Sequence, residues 1–574
     1  MKTTTLLLLL PWLLALVGAS TVQLENRAAG DDAHRTASHH RERDAPFPPR
    51  LESAKKWFRE GAVAAGERGA SQARASNLIL FVGDGMSLTT VAAARIFEGQ
   101  RRGESGEENR LAWEDFPATA LVKTYNTDSQ TPDSAGTMTA MTTGAKTRRG
   151  LIGLAQSAVR GSCKSARGQR LLTLWELGAT TGFATGLVTT TRLTHATPAA
   201  TFAHTPERDW ESDADVPAQA SREGCIDIAR QMIESEHGSG ADVMMGGGRS
   251  YFLPVERADP EYSNLRGRRT DKRDLVAHWK KRHPSGQFVW NAQQFEGAKA
   301  GTPLLALFEP DHMHFEHDRA QDVAGEPSLA EMTRSALQRL QAIARARGTN
   351  AGYVLLVEGG RIDHAHHYGN AYRALRDTVA FSDAVRVADT LTSSADTLIL
   401  VTADHSHTLT FAGYPVRGNP ILGKVRGASG EEKATGPFAL DALGLPYTTL
   451  SYANGPGYPG ATTQQPEGPK RYKHTNRGAF PISRKRSDLG AHDTQAPDYL
   501  QESTLPLEDE THGGDDVGLW ARGPGSAAVR GSLEQNAIFH LMLQANPRLR
   551  RRLCESDYCD ERGLPIKLPL PKEF

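Results

Sequence analysis

The sequence predicts an α/β fold with a large, mostly parallel central sheet, flanked by helices and carrying a lobe inserted at its surface. Three apolar runs predict buried strands, at residues 77–82, 353–357 and 397–403. They are short, rich in Leu, Ile and Val, and do not alternate with polar residues, which is typical of strands covered on both faces. An acidic residue follows each run: Asp84, Glu358 and Asp404.

These acids and nearby histidines predict a metal centre. Ligands bind beyond the carboxyl ends of the strands in open α/β sheets, so three such ends bring their polar side chains to one place. Asp363 and His367 lie four residues apart and therefore share one face of a helical turn. His405 follows Asp404 directly. So many like charges repel unless cations neutralise them. For any one stretch alone, a buried polar network or a helix cap is an equal alternative.

Size and composition are those of a loop-rich enzyme. The chain has 574 residues, with 39% hydrophobic residues, 55 glycines and 31 prolines. Lys plus Arg and Asp plus Glu both number 67, so the formal net charge is zero. This balance gives no reason to expect nucleic acid as a partner.

The N-terminus predicts export. Residues 1–20 resemble a signal peptide, because the twelve-residue apolar core at 6–17 is short for a membrane span and small residues follow it. A signal anchor is the alternative. Residues 21–50 are polar and basic and are expected to form a mobile leader. The C-terminal tail is broken by prolines and lysines, so we expect no lipid anchor and a secreted, extracellular protein.

Four cysteines are expected to form disulfides in an exported chain, although three pairings are possible. The short spacing of Cys554 and Cys559 favours a local clip, which leaves Cys163 to pair with Cys225. The clip lies in a C-terminal tail, residues 546–574.

Helical patterns occur at residues 51–74, 88–98, 328–347 and 371–391. The segment Thr131-Pro-Asp-Ser134 precedes a further run of helix formers, which places Ser134 at a helix N-terminus. The unpaired N–H groups there favour negative charge, either an alkoxide or a phosphate. In isolation, an ordinary capping serine is the more common interpretation.

Further polar residues are less distinctive. His195 and Thr197 follow an apolar strand at 181–188 and are expected to alternate on an extended segment. His512, beside two glycines and an acidic pair, is a further candidate ligand. Residues from about 251 to 326 are polar and irregular and predict a peripheral lobe. Glycine, proline and tyrosine become dense from residue 413, which predicts the inserted lobe.

Taken together, the motifs resemble those of the animal alkaline phosphatases from about residue 51 to beyond residue 524. Seven stretches carry the resemblance, in the family's order: Phe81-Val-Gly-Asp84-Gly-Met86, Asp133-Ser-Ala-Gly-Thr137, His195-Ala-Thr197-Pro198, Ser212-Asp-Ala-Asp215, Glu358-Gly-Gly-Arg-Ile-Asp363-His-Ala-His-His367, Asp404-His-Ser-His407 and Glu510-Thr-His512. The resemblance implies one phosphatase domain at residues 51–545, with the crown-like insertion at about 413–485 and a homodimer.

The resemblance also implies the metal ligands. The first of two zinc ions would be held by Asp363, His367 and His512, and the second by Asp84, Asp404 and His405. Magnesium would be held by Asp84, Thr197 and Glu358, with His195 behind them. Zinc accepts imidazole and carboxylate, and magnesium prefers oxygen, so the residue types suit both ions.

The same resemblance implies the chemistry. Ser134 would be the nucleophile, forming a phosphoserine, and Arg208 would grip the phosphate of small phosphate monoesters. A structural calcium site would comprise Glu261, the Phe308 carbonyl, Glu309 and Glu326. At the last of these positions the family has aspartate, and the chain departs from it.

Two other functions remain open from the sequence alone. A sulfatase or phosphodiesterase of the same superfamily is disfavoured by Ser134, which stands where a sulfatase has its modified cysteine, and by Arg208. A catalytically inactive relative is disfavoured because no ligand or nucleophile is missing. We therefore expect a secreted, metal-dependent phosphomonoesterase.

Overall fold

A computed structural model describes residues 52–569, except for 235–240, 349–350, 428–436, 442–443 and 458–487. The expected signal peptide and leader lie outside the described residues, as does a large part of the expected crown-like insertion. Among the described residues, no helix is both long and apolar enough to cross a bilayer.

The fold is built on a ten-stranded sheet, with two smaller sheets beside it. The strands are β1 Asn77–Gly83, β2 Ala118–Lys123, β3 Ala184–Arg192, β4 Val243–Gly247, β5 Gln287–Val289, β6 Leu304–Leu307, β7 Tyr353–Gly359, β8 Thr397–Ala403, β9 Ser406–His407, β10 Leu409–Phe411, β11 Leu450–Gly455, β12 Ser503–Pro506, β13 His512–Gly513, β14 Val517–Arg522 and β15 Gly531–Glu534.

The large sheet has the order β15-β2-β14-β8-β1-β7-β3-β4-β6-β5. Only β14 runs antiparallel to its neighbours, so the predicted mostly parallel sheet is confirmed. The three strands predicted from their apolar runs, β8, β1 and β7, are adjacent at its centre. Nearly all of their residues are buried, as expected for parallel strands covered on both faces.

Helices cover the sheet, and four of them match the helical patterns of the sequence. The helices are α1 Ala54–Glu67, α2 Leu88–Arg101, α3 Ser134–Thr143, α4 Cys163–Ala166, α5 Leu174–Thr180, α6 Ala196–Ala199, α7 Ala218–Arg222, α8 Ile228–Glu234, α9 Arg249–Phe252, α10 Leu275–Arg282, α11 Ala292–Glu296, α12 Leu329–Arg347, α13 Arg361–His367, α14 Ala371–Leu391, α15 Ala537–Ala545 and α16 Pro547–Glu555. Short 3-10 turns occur at Ala70–Gln72, Asp213–Asp215, Arg319–Gln321 and Ser526–Ala528.

The long helices pack in two series. In one, α12 contacts β3 and α14, and α14 contacts α2. In the other, α15 lies between α1 and α3, and α3 contacts α6. The second series fixes α3, whose first residue is Ser134. Every residue of α3 is buried, so the helix is packed on all sides.

Two local predictions were wrong. His195 and Thr197 do not alternate on an extended segment, because His195 caps α6 and Thr197 lies inside that helix. Pro198 does not prevent this helix, since a proline in the first turn removes no helical hydrogen bond. The segment 251–326 is not uniformly irregular either. It contains α10 and α11, and its strands β5 and β6 extend the central sheet.

Candidate active site

The register of the central strands brings the predicted ligands together. Gly83 at the end of β1 pairs with Gly359 on β7 and with Ala403 on β8. Asp84 therefore comes just after the end of β1, which lies between the ends of β7 and β8. Those two strands precede Asp363 and Asp404, respectively. These residues are up to 320 positions apart in sequence. The parallel strand order places their side chains at one edge of the sheet, as the three strand ends predict.

The first cluster surrounds Asp363, at the start of α13. Nε2 of His367 lies 3.4 Å from Oδ2 of Asp363, and Nε2 of His512 lies 3.4 Å from its Oδ1. The two Nε2 atoms are 3.1 Å apart. His367 is brought onto Asp363 by the single turn of α13, and His512 by the pairing of β13 with β9.

Backbone carbonyls hold both imidazoles in one tautomer. Nδ1 of His367 donates to the carbonyl of Glu510 at 2.5 Å, and Nδ1 of His512 donates to the carbonyl of Pro132 at 2.8 Å. With the proton on Nδ1, each Nε2 presents a lone pair. Two lone pairs and a carboxylate facing one another are unfavourable unless a cation lies among them. This is the outer-shell arrangement of zinc-bound histidines.

The second cluster lies beside Ser134. Nε2 of His405 is 3.1 Å from Oδ2 of Asp404, 3.5 Å from Oδ1 of Asp84 and 3.2 Å from Oγ of Ser134. Asp404 is oriented by the backbone N–H groups of Gly85 and His405, which donate to its Oδ1 at 3.0 and 2.9 Å.

Ser134 is the first residue of α3 rather than its cap. Asp133 caps the helix by accepting from the N–H of Gly136 at 3.1 Å, and its other oxygen accepts from the N–H of Gly150 at 2.8 Å. The Ser134 hydroxyl is therefore free of a capping role and faces His405, at the positive end of the helix dipole.

A third cluster contains Asp84, Glu358 and His195. Oγ1 of Thr197 donates to Oδ2 of Asp84 at 3.4 Å. Oδ1 of Asp84 and Oε1 of Glu358 are buried and have no hydrogen-bond partner. Burial, together with the Asp404 carboxylate, raises the pKa of Glu358 to about 7, against a hydrogen bond from Thr189. Burial and the same carboxylate raise the pKa of Asp84 well above its usual value. Both carboxylates are costly to ionise here without a cation.

Arg208 reaches the same edge of the sheet. Its Nη1 donates to Oδ2 of Asp133 at 3.3 Å, and its Nη2 donates to Nε2 of His195 at 3.3 Å. The guanidinium is thus held beside the N-terminus of α3, although sequence spacing gave no sign of this.

The spacing of the ligand atoms suits tetrahedral ions. Two atoms that each lie about 2.0–2.1 Å from a tetrahedral zinc are separated by about 3.3 Å. Around Asp363 the separations are 3.1 to 3.4 Å, and around His405 they are 3.1 and 3.5 Å. Both clusters combine imidazole with carboxylate, which zinc accepts, whereas Asp84, Thr197 and Glu358 offer the oxygen donors that magnesium prefers.

Two supporting residues were not identified from the sequence. Nε2 of His407 lies 2.7 Å from Oδ1 of Asp363, and its Nδ1 lies 2.5 Å from Oε2 of Glu510. Glu510 also accepts from the N–H of Thr408 at 2.7 Å. These contacts orient Asp363 from behind. The pattern Asp404-His-Ser-His407 places His407 and His405 on one side of an extended segment, a signal that could have revealed His407.

The residues expected to bind calcium divide into two groups. Glu309 and Glu326 converge with His314, which the resemblance does not include. Glu261 and the Phe308 carbonyl both accept hydrogen bonds from Arg249, at 2.9 and 2.8 Å. Burial and the Glu261 carboxylate raise the pKa of Glu309 to about 8.

Both expected disulfides are confirmed. Cys163 is bonded to Cys225, and Cys554 to Cys559. The second bond closes a short loop after α16, which packs on α15. Disulfides are consistent with an extracellular protein.

Known proteins are similar to this chain in sequence. The sequence model of the family "Alkaline phosphatase" matches residues 75–547, which is most of the chain. The chain belongs to the alkaline phosphatase family. It is 41% identical over 479 residues to the tissue-nonspecific alkaline phosphatase of Gallus gallus, covering 82% of the chain and 84% of that protein. It is 40% identical to the tissue-nonspecific enzyme of Homo sapiens, covering 82% and 83%, and 41% identical to the alkaline phosphatase of Gadus morhua, covering 82% and 92%.

Solved alkaline phosphatases share the fold. The enzyme of Thermus thermophilus aligns with a TM-score of 0.56 and 26% identity, over 84% of this chain and 93% of its own. A variant of the TAB5 alkaline phosphatase, which has Mg bound in its M3 site, aligns with a TM-score of 0.51 and 21% identity, over 82% and 98%. Alkaline phosphatases are metal-dependent phosphomonoesterases, and the protein is a phosphomonoesterase of this family.

Proposed function

We propose that this phosphatase hydrolyses phosphate monoesters through a phosphoserine on Ser134. This proposal rests on the position of the Ser134 hydroxyl. Oγ of Ser134 lies 3.2 Å from Nε2 of His405, beside two buried carboxylates and at the positive end of α3. A serine is a weak nucleophile unless neighbouring groups stabilise its alkoxide. The N-terminus of α3 supplies positive charge beside the Ser134 oxygen, and candidate metal ligands lie next to the same oxygen.

The proposed metal complement is two zinc ions and one magnesium ion. Asp363, His367 and His512 would hold one zinc, and Asp84, Asp404 and His405 the other. Magnesium would be held by Asp84, Thr197 and Glu358, with His195 alongside. When bound, the ions supply positive charge that favours the ionised forms of the serine and of the attacking water, and that stabilises the leaving oxygen.

The chain's own groups orient the phosphate. The N–H groups at the start of α3 and the Arg208 guanidinium both favour a dianion. Asp133 and His195 hold two of the guanidinium nitrogens, which limits its motion before substrate arrives. Because these contacts go to the phosphoryl group, the leaving group is free to vary, and we propose a broad range of small phosphate monoesters as substrates.

The reaction balances in two displacements. The Ser134 oxygen forms a bond to phosphorus as the bond to the ester oxygen breaks, and the alcohol leaves with one proton. Water then attacks the phosphoserine, inorganic phosphate leaves, and the serine oxygen recovers a proton. We propose that the enzyme acts as a secreted homodimer in which the lobe at residues 413–485 contributes to the interface.

The test is the variant Ser134→Ala in the purified metal-loaded enzyme. Turnover of p-nitrophenyl phosphate should fall by at least about a thousandfold, because the covalent route is lost. Zinc and magnesium contents, measured by plasma mass spectrometry, should not change. After acid quenching with labelled substrate, the label should be found on the peptide that contains Ser134 in the wild type and should be missing in the variant.

Ser53→Ala is the matched control. Ser53 caps α1 by accepting from the N–H of Lys56 at 3.2 Å, at an exposed position. Its loss should cost about 1 kcal/mol of stability and leave turnover unchanged. Undiminished turnover in Ser134→Ala, or a label on another residue, would show that Ser134 is not the nucleophile.

A further inference from the structure

A second cluster of ligand-type side chains lies away from the active site, beyond β6. Glu309 lies two residues after that strand, His314 follows in the next loop, and Glu326 precedes the cap of α12. Nδ1 of His314 is 3.6 Å from Oε1 of Glu309 and 3.4 Å from Oε1 of Glu326. In the sheet order, β7, β3 and β4 separate β6 from the central strand β1.

One oxygen of each carboxylate in this cluster lacks a partner. Oε1 of Glu309 and Oε2 of Glu326 are buried without a hydrogen bond. The buried Nδ1 of His314 lies between the two carboxylates, and its pairing with Glu326 raises the pKa of His314 to about 9. Both carboxylates are only 4% exposed. Buried polar atoms are almost always satisfied, so the two unpartnered carboxylate oxygens beside this imidazole indicate a group that the protein chain does not supply. Asp322 adds further negative charge to all three side chains, which favours a cation.

The other two residues of the expected calcium site are engaged elsewhere. Arg249 is fully buried and is locked by two hydrogen bonds to Asp259, at 2.7 and 2.8 Å. Its remaining donors reach Oε2 of Glu261 and the carbonyl oxygen of Phe308. A guanidinium beside these oxygens opposes a cation there and uses one lone pair of each oxygen. Calcium takes six to eight oxygen ligands, and this arrangement leaves too few.

We propose that Glu309, His314 and Glu326 form a structural site for zinc rather than calcium. Imidazole nitrogen is a good ligand for zinc and a poor one for calcium. The separations of 3.4 and 3.6 Å are close to the spacing of about 3.3 Å between two ligands of a tetrahedral zinc. Two carboxylates and one imidazole provide three ligands, and water can complete the tetrahedron.

Such an ion would tie the loop after β6 to the start of α12. The backbone N–H of His314 already donates to Oε1 of Glu326 at 2.9 Å, which holds the two segments together. The site shares none of the active-site ligands. Its occupancy therefore does not depend on the proposed phosphoserine mechanism. Either proposal can be refuted while the other stands.

The test compares the wild-type holoenzyme with His314→Gln, in which an amide replaces the imidazole. Zinc and calcium per chain are measured by plasma mass spectrometry after dialysis against both ions. Zinc content should fall by one equivalent in His314→Gln. Anomalous diffraction at the zinc edge should show a peak among the three side chains in the wild type and none in the variant.

His317→Gln is the matched control, since His317 lies on the same loop but contacts the ring of Tyr372 instead. It should keep the wild-type zinc content. Glu309→Gln provides a second variant should His314→Gln fold poorly, and it should also lose one zinc. One equivalent of calcium in both the wild type and His314→Gln, or no ion at this position in the wild type, would overturn the proposal.

Discussion

The buried imidazole of His540 makes the fold sensitive to acid. His540 is fully buried on α15, with its ring edge-on to Phe58 at 4.5 Å and to Phe539 at 5.0 Å. Burial lowers its pKa to about 3, against a smaller upward contribution from the backbone of Gly144. The unfolded chain takes up this proton near pH 6.5, whereas the folded chain does not. Stability is therefore lost as the pH falls below the unfolded pKa.

The size of this effect follows from the two pKa values. Between pH 7 and pH 4, protonation of the unfolded state alone should remove about 3 kcal/mol from the free energy of unfolding. His540→Leu abolishes this contribution, although the variant also has a constant offset from altered packing. The stability of the wild type relative to His540→Leu should therefore fall by about 3 kcal/mol over that range.

Urea unfolding of both proteins at matched pH values measures the difference in their free energies of unfolding. The contributions of the other buried histidines cancel because both proteins contain them. The exposed His492 supplies the control variant, His492→Leu, which replaces a histidine by leucine without removing a buried imidazole. A difference between wild type and His540→Leu that stays constant from pH 7 to pH 4 would refute the reasoning.

Three further outcomes are expected. Chelation should abolish turnover and lower the melting temperature, because the clustered carboxylates repel one another when no metal ion is bound. Zinc together with magnesium should restore both turnover and melting temperature. Activity that survives exhaustive chelation would contradict the metal assignment. Arg208→Lys should weaken inhibition by inorganic phosphate by roughly 30-fold, since it loses a charged hydrogen bond of about 2 kcal/mol; an unchanged inhibition constant would remove Arg208 from the phosphate site. Breaking Cys163–Cys225, which spans 62 residues, should cost about 2 kcal/mol more than breaking Cys554–Cys559, which spans 5. Equal losses by calorimetry would exclude the loop-entropy explanation.

Several parts of the fold could be predicted locally. The apolar runs of β1, β7 and β8 have no polar alternation because both faces of these strands are covered, so pattern alone identified them. The helix at 371–391 begins and ends where its periodicity predicts. The pairing of Asp363 with His367 needed only the helical repeat, because residues four apart lie on one face of any helix.

Other features depended on tertiary contacts. An extended segment was predicted for His195 and Thr197, but the turn after β3 and the packing of α6 on α3 favour a short helix there. The role of Glu510 could not be read from spacing, since it acts by placing one carbonyl on His367 and its carboxylate on His407. The guanidinium of Arg208 likewise has no local signature.

Local patterns in the sequence were enough to predict the family motifs, the central strands and the residue types of the proposed metal centre. These follow from short-range patterns, namely burial on both faces of a strand and side-chain spacing along a helix. The folded molecule was needed to show that β1 lies between β7 and β8, which brings acids from positions 84, 363 and 404 into one site. Only it showed that Arg249 occupies half of the expected calcium ligands and that His314 joins the others. Contacts between distant segments depend on strand order and side-chain direction, which no local pattern encodes.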